Sequence, residues 1–111
     1  MSLYADYVRE RLGWETIEVE SGFIVYSVRP PNAAVEEFYV DPAQRGTPLA
    51  KRLVDQVVFR AREAGAKYLW SAVVPGTAGA DSAMLLNLKY GFKLHSTTVD
   101  GRVQLVMNLE D

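Results

Sequence analysis

The feature that most constrains the fold is a long amphipathic segment in the middle of the chain. Apolar residues recur every three or four positions over residues 49–64, and charged or polar side chains occupy most of the positions between them. This spacing is typical of an α-helix that buries one face. Thr47 as N-cap and Pro48 at the first helical position mark its start, and Gly65 marks its end.

The segments on either side of this helix predict strands. Residues 33–40 precede it and residues 68–74 follow it, and both runs are rich in residues that favour β-structure. A strand, a helix and a second strand in this order favour a right-handed crossover, which makes the two strands parallel. We therefore expect an α/β unit at the centre of the fold.

The N-terminal third adds one helix and a pair of strands. Residues 3–12 have helical spacing, with Ser2 able to cap the start and Gly13 able to end the helix. Residues 15–20 alternate between apolar and polar side chains, whereas residues 23–28 are apolar on both faces. The two segments are predicted to pair antiparallel, with the second more deeply buried.

The C-terminal third adds a second core helix and a hairpin. The helix is predicted to start at an N-cap on Asp81 and to end at Gly91. Residues 92–109 are predicted to form two strands about Asp100-Gly101, a pair typical of a type I′ turn. The order αβββ-α-β-α-ββ predicts an α/β (α+β) fold: a mixed central sheet with flanking helices, in a single domain over residues 1–111.

Charge and composition exclude several classes of function. Twelve Lys and Arg residues stand against fourteen Asp and Glu residues without a basic tract, which disfavours nucleic-acid binding. There is no cysteine and only one histidine, so no thiolate or histidine-cluster metal site is expected. No segment approaches the ~20 apolar residues of a membrane span, and the N-terminus does not resemble a signal peptide. We expect a soluble, cytoplasmic protein without a membrane partner.

The loop before the long helix is the predicted binding site. It reads Asp-Pro-Ala-Gln-Arg-Gly-Thr-Pro-Leu-Ala over residues 41–50. A helix start directs several N–H groups and the positive end of its dipole to one point, which suits a pyrophosphate. The loop also has an interpretation without a ligand, in which Asp-Pro makes a turn, Gly46 supplies an unusual backbone angle and Thr-Pro caps the helix. The loop alone leaves both interpretations open.

The order of elements and motifs resembles the core of the GNAT N-acetyltransferases. The resemblance covers residues 35–96 and includes Gln-Arg-Gly-x-x-x-Ala at residues 44–50 and Tyr-Gly-Phe at residues 90–92. In that family the loop before the long helix wraps the pyrophosphate of acetyl-CoA, and the pantetheine arm lies between two splayed strands. The resemblance implies an N-acetyltransferase with acetyl-CoA as co-substrate and a small amine, a peptide N-terminus or a lysine as acceptor. It leaves a homodimer open.

The resemblance also implies a set of cofactor-binding residues. The backbone of the third strand would hold the pantetheine amides, and the loop with the helix start would hold the phosphates. The residues in question are Phe38, Tyr39, Val40, Gln44, Arg45, Gly46, Thr47, Leu49, Ala50 and Asn87.

Three positions depart from the family pattern. Pro48 stands at the second glycine of the loop motif and has no N–H. The tyrosine that often protonates the leaving thiolate falls on Asn87, which cannot act as an acid, and an asparagine near the start of that helix falls on Ala80. These departures favour a second hypothesis, a non-catalytic acyl-CoA-binding or protein-interaction module with the same fold.

The candidate catalytic residues are Glu37 and Tyr90. Glu37 and Tyr39 share one face of the third strand near the position implied for the acetyl group, so Glu37 can act as the base, with Glu36 as the alternative. Tyr90 can replace the missing acid. Each has a structural alternative: the carboxylates can simply face solvent, and a tyrosine at helical spacing can pack in the core. His95 is expected to have a surface or cross-strand role.

Overall fold

In the computed structural model, which describes residues 2–110 apart from the side chains of Asp81 and Ser82, the elements follow the predicted order. The helices are α1 (Leu3–Leu12), α2 (Leu49–Glu63) and α3 (Ala80–Lys89). The strands are β1 (Glu15–Val19), β2 (Gly22–Arg29), β3 (Asn32–Val40), β4 (Tyr68–Val73), β5 (Lys93–Thr97) and β6 (Val103–Asn108).

All six of these strands form one sheet in the order β1-β2-β3-β4-β6-β5. β3 and β4 are parallel, as the crossover through α2 requires, and the other neighbouring pairs are antiparallel. The predicted mixed sheet with flanking helices is therefore confirmed.

The main core lies between the sheet and α2. Leu53 and Val57 of α2 are fully buried, together with Ile24, Leu69 and Leu105 from three of the strands. The apolar stripe that predicted the helix is thus the face that packs on the sheet.

The opposite face of the sheet carries α1. Val25 follows Ile24 in β2, so its side chain points to the other side of the sheet, and it is also fully buried. On that side Ala5 and Val8 of α1 are buried as well. α1 and α2 therefore cover different faces of the first three strands.

The start of α2 differs from the prediction by one residue. Pro48 occupies the N-cap position, and its C=O accepts the first helical hydrogen bond, from Arg52 N–H at 3.0 Å. Thr47 lies one residue earlier, where its hydroxyl donates to Gln44 O at 2.6 Å and accepts from Leu49 N–H at 3.4 Å. The predicted pair is present, but the first helical residue is Leu49.

The predicted cap of α3 is also wrong. The helix begins after Gly79, which has φ +80°, and the C=O of Gly79 accepts from Ala83 N–H at 2.9 Å. A left-handed glycine can reverse the chain directly before a helix, so the helix starts two positions earlier than a cap at Asp81 would allow.

The turn between β5 and β6 is not type I′. A type I′ turn needs positive φ at both central residues, but among residues 2–110 positive φ occurs only at glycines, so Asp100 does not have it. Gly101 N–H instead donates to Thr98 O at 3.0 Å, and Gly101 has φ +88°. This arrangement is a type I turn followed by a left-handed glycine. The Thr98 hydroxyl, which bonds the Asp100 carboxylate, fixes the turn.

Capping of α1 leads to a testable prediction. The Ser2 hydroxyl accepts a hydrogen bond from Ala5 N–H at 3.0 Å. We expect Ser2→Ala to lower the free energy of unfolding by about 1 kcal/mol, because one helix donor loses its acceptor. Urea unfolding measures the loss, and Ser2→Asp, which keeps an acceptor oxygen, should show little of it. An equal loss in both variants would mean that the cap does not stabilise α1.

Candidate functional site

β3 and β4 separate soon after they pair. Asn32, Ala33 and Ala34 face residues 68–70 in parallel register, and no pairing extends beyond them within the described residues. β3 nevertheless continues to Val40. A wedge therefore opens between the two strands toward their carboxyl ends, where open α/β sheets bind ligands.

A β-bulge lies where the wedge opens. Val25 pairs with Glu37 but Tyr26 pairs with Val35, which leaves Glu36 as an extra residue on β3. The Ser27 hydroxyl donates to the Glu36 carboxylate at 2.7 Å. Bulges bend a strand and redirect its side chains, and they are common beside active sites. The residue pattern of segment 33–40 predicts a regular strand and gives no indication of this bulge.

The peptide groups of β3 alternate between β2 and the wedge. Asp41 N–H donates to Ser21 O at 2.7 Å, which makes these two residues a hydrogen-bonded pair. Because hydrogen-bonded and non-bonded pairs alternate along an antiparallel ladder, Tyr39 also directs its peptide groups toward β2. Phe38 and Val40 direct theirs into the wedge.

β4 lines the other side of the wedge in the same way. Leu109 N–H donates to Lys67 O at 2.8 Å, so every second residue from Lys67 along β4 is bonded to β6. Ala72 falls between these residues, and its peptide groups point into the wedge. Both walls therefore present N–H and C=O groups to an extended chain that carries amides.

The loop at the mouth of the wedge leaves several backbone N–H groups at the start of α2 without an acceptor in residues 2–110. The Asp41 carboxylate accepts from Ala43 N–H at 2.9 Å, and Gly46 has φ +84°. Within the described residues, no acceptor takes a hydrogen bond from the backbone N–H of Gly46, Ala50 or Lys51. We call these three groups the N–H cradle. Together with the helix dipole they suit a phosphate group.

The side chains of the loop stabilise its shape. Gln44 and Thr47 are joined through the Thr47 hydroxyl, which also accepts from Leu49 N–H. These three residues line a hollow of about 370 Å³ beside the β1–β2 turn, together with Arg52. Arg52 is an exposed side chain one turn after Pro48, and this spacing from the helix start indicates a cation near the loop.

A row of aromatic side chains runs across the sheet face that carries α1. Tyr4 meets Phe23 edge to face with ring centroids 5.7 Å apart, and Phe23 stacks on Tyr39 at 6.0 Å. We call Tyr4, Phe23 and Tyr39 the aromatic row. Arg45 closes it, because its guanidinium lies 5.7 Å from the Tyr39 centroid and its Nε donates to Val40 O at 3.1 Å. The row therefore reaches from α1 to the loop.

Glu37 lies beside this row. Its exposed carboxylate accepts a hydrogen bond from the Tyr4 hydroxyl, and it lines an open cleft of about 600 Å³ with Phe23, Phe38 and Tyr39. This hydrogen bond, with smaller contributions from burial and from the charge of Glu37, raises the pKa of Tyr4 above its ordinary value. Tyr4 therefore stays protonated at neutral pH and keeps donating. No motif or spacing in the sequence indicates this contact, because it joins residues 33 positions apart.

Tyr90 lies away from the wedge. It is half-buried and packs against the main core at the end of α3. The next residue, Gly91, approaches the side chain of Met107, which pairs with Leu69 near the amino end of β4. The wedge opens at the other end of that strand, so this geometry favours the packing interpretation of Tyr90.

Asn87, Ala80 and His95 also make structural contacts. The Asn87 amide donates to Ala83 O at 2.7 Å within its own helix. Ala80 is part of the buried core. His95 is exposed on β5, where its ring lies edge-on to Trp70 with centroids 4.9 Å apart. The expected cross-strand role of His95 agrees with this position.

Neither a cluster of metal-ligating side chains nor a membrane-spanning helix is found in the part of the chain that the structure describes. No group of three or more His, Cys, Asp or Glu side chains there is arranged to hold a metal ion. None of the described helices combines the length and the apolar character needed to cross a bilayer.

Comparison with protein families gives one match. The family described as the acetyltransferase (GNAT) family matches residues 5–84, well over half of the chain. No curated protein sequence matches the chain.

Several solved structures are similar to this chain. A GNAT-family protein from Desulfovibrio desulfuricans has a TM-score of 0.79 at 14% identity, covering 95% of this chain and 76% of its own. The ribosomal-protein-S18-alanine N-acetyltransferase from Escherichia coli has a TM-score of 0.72 at 17% identity, covering 100% and 79%. The yncA protein from Salmonella typhimurium, solved with its cofactor acetyl-CoA, has a TM-score of 0.71 at 18% identity, covering 95% and 70%. At these identities the likeness shows the fold alone.

Proposed function

The chain belongs to the GNAT acetyltransferase family, and from this premise we propose that it transfers the acetyl group of acetyl-CoA to an amine. The observation that carries the proposal is the continuity of two features: peptide groups that face the wedge, and the N–H cradle at its mouth. Together they fit an extended amide chain that ends in a pyrophosphate.

We place most of the predicted cofactor-binding residues in two groups, to which Ala72 and Lys51 are added from the structure. The peptide groups of Phe38 and the N–H of Val40 on one wall, with Ala72 on the other, would bond the pantetheine amides, while Val40 O accepts from Arg45 Nε. The N–H cradle would bind the pyrophosphate, while Gln44, Thr47 and Leu49 stabilise the loop that presents it. Tyr39 would contact the coenzyme only through its ring, because its peptide groups are bonded to β2.

Glu37 is the residue that we propose as the base. Acetyl-CoA supplies, when bound, an acetyl group activated as a thioester. Glu37 directly precedes Phe38 and follows the bulge, so it lies beside the inner part of the wedge, and Tyr4 holds its carboxylate there. An exposed carboxylate in this position can take the proton that an attacking amine must lose.

Two measurements test this function. Calorimetric titration with acetyl-CoA should show saturable binding, and release of free thiol should depend on an added amine. Absence of binding at millimolar acetyl-CoA would contradict the proposal.

The second candidate is a module that binds the coenzyme without turnover. The specific observation in its favour is that the Asn87 amide bonds its own helix while Tyr90 packs in the core, so neither donates a proton at the wedge. Coenzyme binding without amine-dependent thiol release, over a panel that includes lysine peptides and small amines, would identify this case.

Pro48 leads to a prediction about the cradle. It lies between Gly46 and Ala50 and has no N–H to offer. We expect Pro48→Gly to bind coenzyme A about tenfold more tightly, because an added hydrogen bond to a charged group contributes about 1.5 kcal/mol or more. Thermal stability should fall slightly, by ~0.4–1 kcal/mol, since glycine gives the unfolded chain more freedom.

The matched variant for this prediction is Pro48→Ala. It restores the same N–H with less backbone freedom, so it should also tighten binding while losing less stability than the glycine variant. Calorimetry and thermal unfolding separate the two quantities. Unchanged affinity in both folded variants would mean that residue 48 does not meet the phosphates.

A further inference from the structure

The aromatic row and Glu37 indicate what kind of acceptor the chain takes. Resting on the function proposed above, we infer that the acceptor is a cationic amine carried on an apolar stem, with its ammonium group at Glu37 and its stem on the rings of Phe23 and Tyr39. The cleft that these side chains line is the acceptor site.

The position of the cleft supports this assignment. Glu37 and Tyr39 lie on the face of β3 that carries α1, while the peptide groups of Phe38 between them point edgewise into the wedge. A molecule in the cleft therefore approaches the wedge from the sheet face that carries α1. The coenzyme is proposed to lie along the wedge between the two strands, so the two molecules do not overlap. Such an approach is what direct transfer between two bound molecules needs.

The chemistry of the walls favours a positive charge. Aromatic ring faces attract ammonium and guanidinium groups, as the guanidinium of Arg45 over the Tyr39 ring shows. Because Arg45 already occupies that ring, the ammonium belongs at Glu37 beside Phe23, and Tyr39 contacts only the stem. The carboxylate of Glu37 adds a charged acceptor for an ammonium N–H, and Tyr4 holds this carboxylate at the edge of the row. A carboxylate on the acceptor would meet Glu37 as a like charge, so free α-amino acids should bind poorly.

The shape of the cleft favours a stem with a free end. It is open, and Tyr39 in its wall is 48% exposed. An enclosed pocket would select the whole molecule, whereas this surface contacts only the amine and the carbons next to it. A lysine side chain and an arylalkylamine both have this form.

The first experiment measures binding without turnover. Phenethylamine, phenethyl alcohol, methylamine and phenylalanine are titrated into the protein, and NMR shifts of β2 and β3 are followed. We expect phenethylamine to bind about tenfold more tightly than its neutral alcohol, which lacks the charge, and than methylamine, which lacks the stem. Phenylalanine, which carries a carboxylate, should bind more weakly than phenethylamine. Equal binding of the amine and the alcohol would overturn the inference.

The second experiment removes single groups. Phe23→Leu keeps an apolar side chain but removes a ring face, and it should weaken phenethylamine binding about three- to tenfold. Phe59→Leu removes an exposed ring on α2 and is the matched control. Glu37→Gln should abolish most of the preference for the amine over the alcohol. Thermal unfolding shows whether each variant is folded, and equal effects of the two leucine variants would contradict the inference.

A coenzyme titration of the same samples separates the inference from the proposed function. Loss of amine discrimination with normal acetyl-CoA binding overturns the acceptor assignment alone. If the protein prefers the amine to the alcohol but does not bind acetyl-CoA, the cleft is a site for cations and the acetyltransferase function is overturned. With both intact, kcat/KM for thiol release should follow the order phenethylamine, then methylamine, then phenylalanine.

Discussion

Gly46→Val is expected to weaken acetyl-CoA binding by about 30-fold or more while the protein stays folded. Gly46 has φ +84° and contributes its N–H to the N–H cradle. A β-branched residue disfavours this conformation by about 1–2 kcal/mol, so the loop should relax and turn the N–H away from the phosphates. Loss of a hydrogen bond to a charged phosphate weakens binding by a further ~1.5 kcal/mol. We therefore expect the free energy of acetyl-CoA binding to fall by at least ~2 kcal/mol, which corresponds to the 30-fold loss of affinity. Calorimetry with acetyl-CoA measures it.

Gly13→Val is the matched control for this variant. Gly13 ends α1 with φ +73°, and an added Cβ meets nothing within 4 Å at either glycine. The two variants should therefore lose similar stability in thermal unfolding, but only Gly46→Val should lose coenzyme affinity. If both variants bind acetyl-CoA normally, the loop is a helix cap and the cradle binds no phosphate.

The order and type of the elements could be predicted because each has a strong local signal. Apolar residues over residues 49–64 recur with a single helical period, and a glycine follows them, so the segment predicts a helix with one buried face. The burial of Leu53 and Val57 confirms that helix and its buried face. The strands on either side then had to be parallel, because a crossover helix leaves few alternatives. Hydrophobic periodicity thus carries most of the information about this fold.

The ends of elements were predicted less well because several local groups compete there. Thr47 and Pro48 can each occupy the N-cap position of α2. The hydrogen bond from Arg52 N–H to Pro48 O makes Pro48 the N-cap. At the last hairpin, Asp-Gly favours a type I′ turn, but the Thr98 hydroxyl bonds both Asp100 and Arg102 and selects another turn. Such choices depend on side-chain hydrogen bonds that sequence spacing does not reveal.

The sequence predicts a candidate loop at residues 41–50, whose role stays a prediction, but the side-chain contacts of the candidate site could not be predicted. The loop at residues 41–50 is where the structure places the N–H cradle. The bulge at Glu36 and the contact between Tyr4 and Glu37 depend on strand register and on the packing of α1, which are properties of the folded chain. Tyr90 was chosen for its chemistry, and the position of α3 favours its other interpretation.

The loop proposed to bind the coenzyme (residues 41–50) and the cleft proposed to bind the acceptor share one side chain. The ring of Tyr39 stacks on Phe23 in the cleft, and the guanidinium of Arg45 from the loop lies over the same ring. A change in the loop that moves Arg45 therefore alters the environment of the acceptor cleft. This contact gives a physical reason for coenzyme and acceptor to affect each other's binding.

Glu37→Gln is expected to lower the rate of amine-dependent thiol release by about 100-fold or more. Glutamine keeps the size of the side chain and an oxygen that can accept from the Tyr4 hydroxyl, so α1 should stay in place. It cannot take the proton from the attacking amine, and general-base catalysis contributes about 10²–10⁴-fold. Acetyl-CoA affinity should be unchanged, because the groups proposed to bind the coenzyme lie on the backbone of β3, β4 and the loop.

Glu36→Gln distinguishes the base from its neighbour. Glu36 is the bulged residue, and its carboxylate accepts a hydrogen bond from the Ser27 hydroxyl on the sheet, which the amide oxygen of glutamine can also accept. We therefore expect Glu36→Gln to retain most of the rate at saturating amine, while Glu37→Gln does not. Steady-state kinetics at saturating amine would show the difference. A large loss in Glu36→Gln with a nearly normal Glu37→Gln would assign proton transfer to the bulge residue and leave Glu37 only the role of holding the ammonium group.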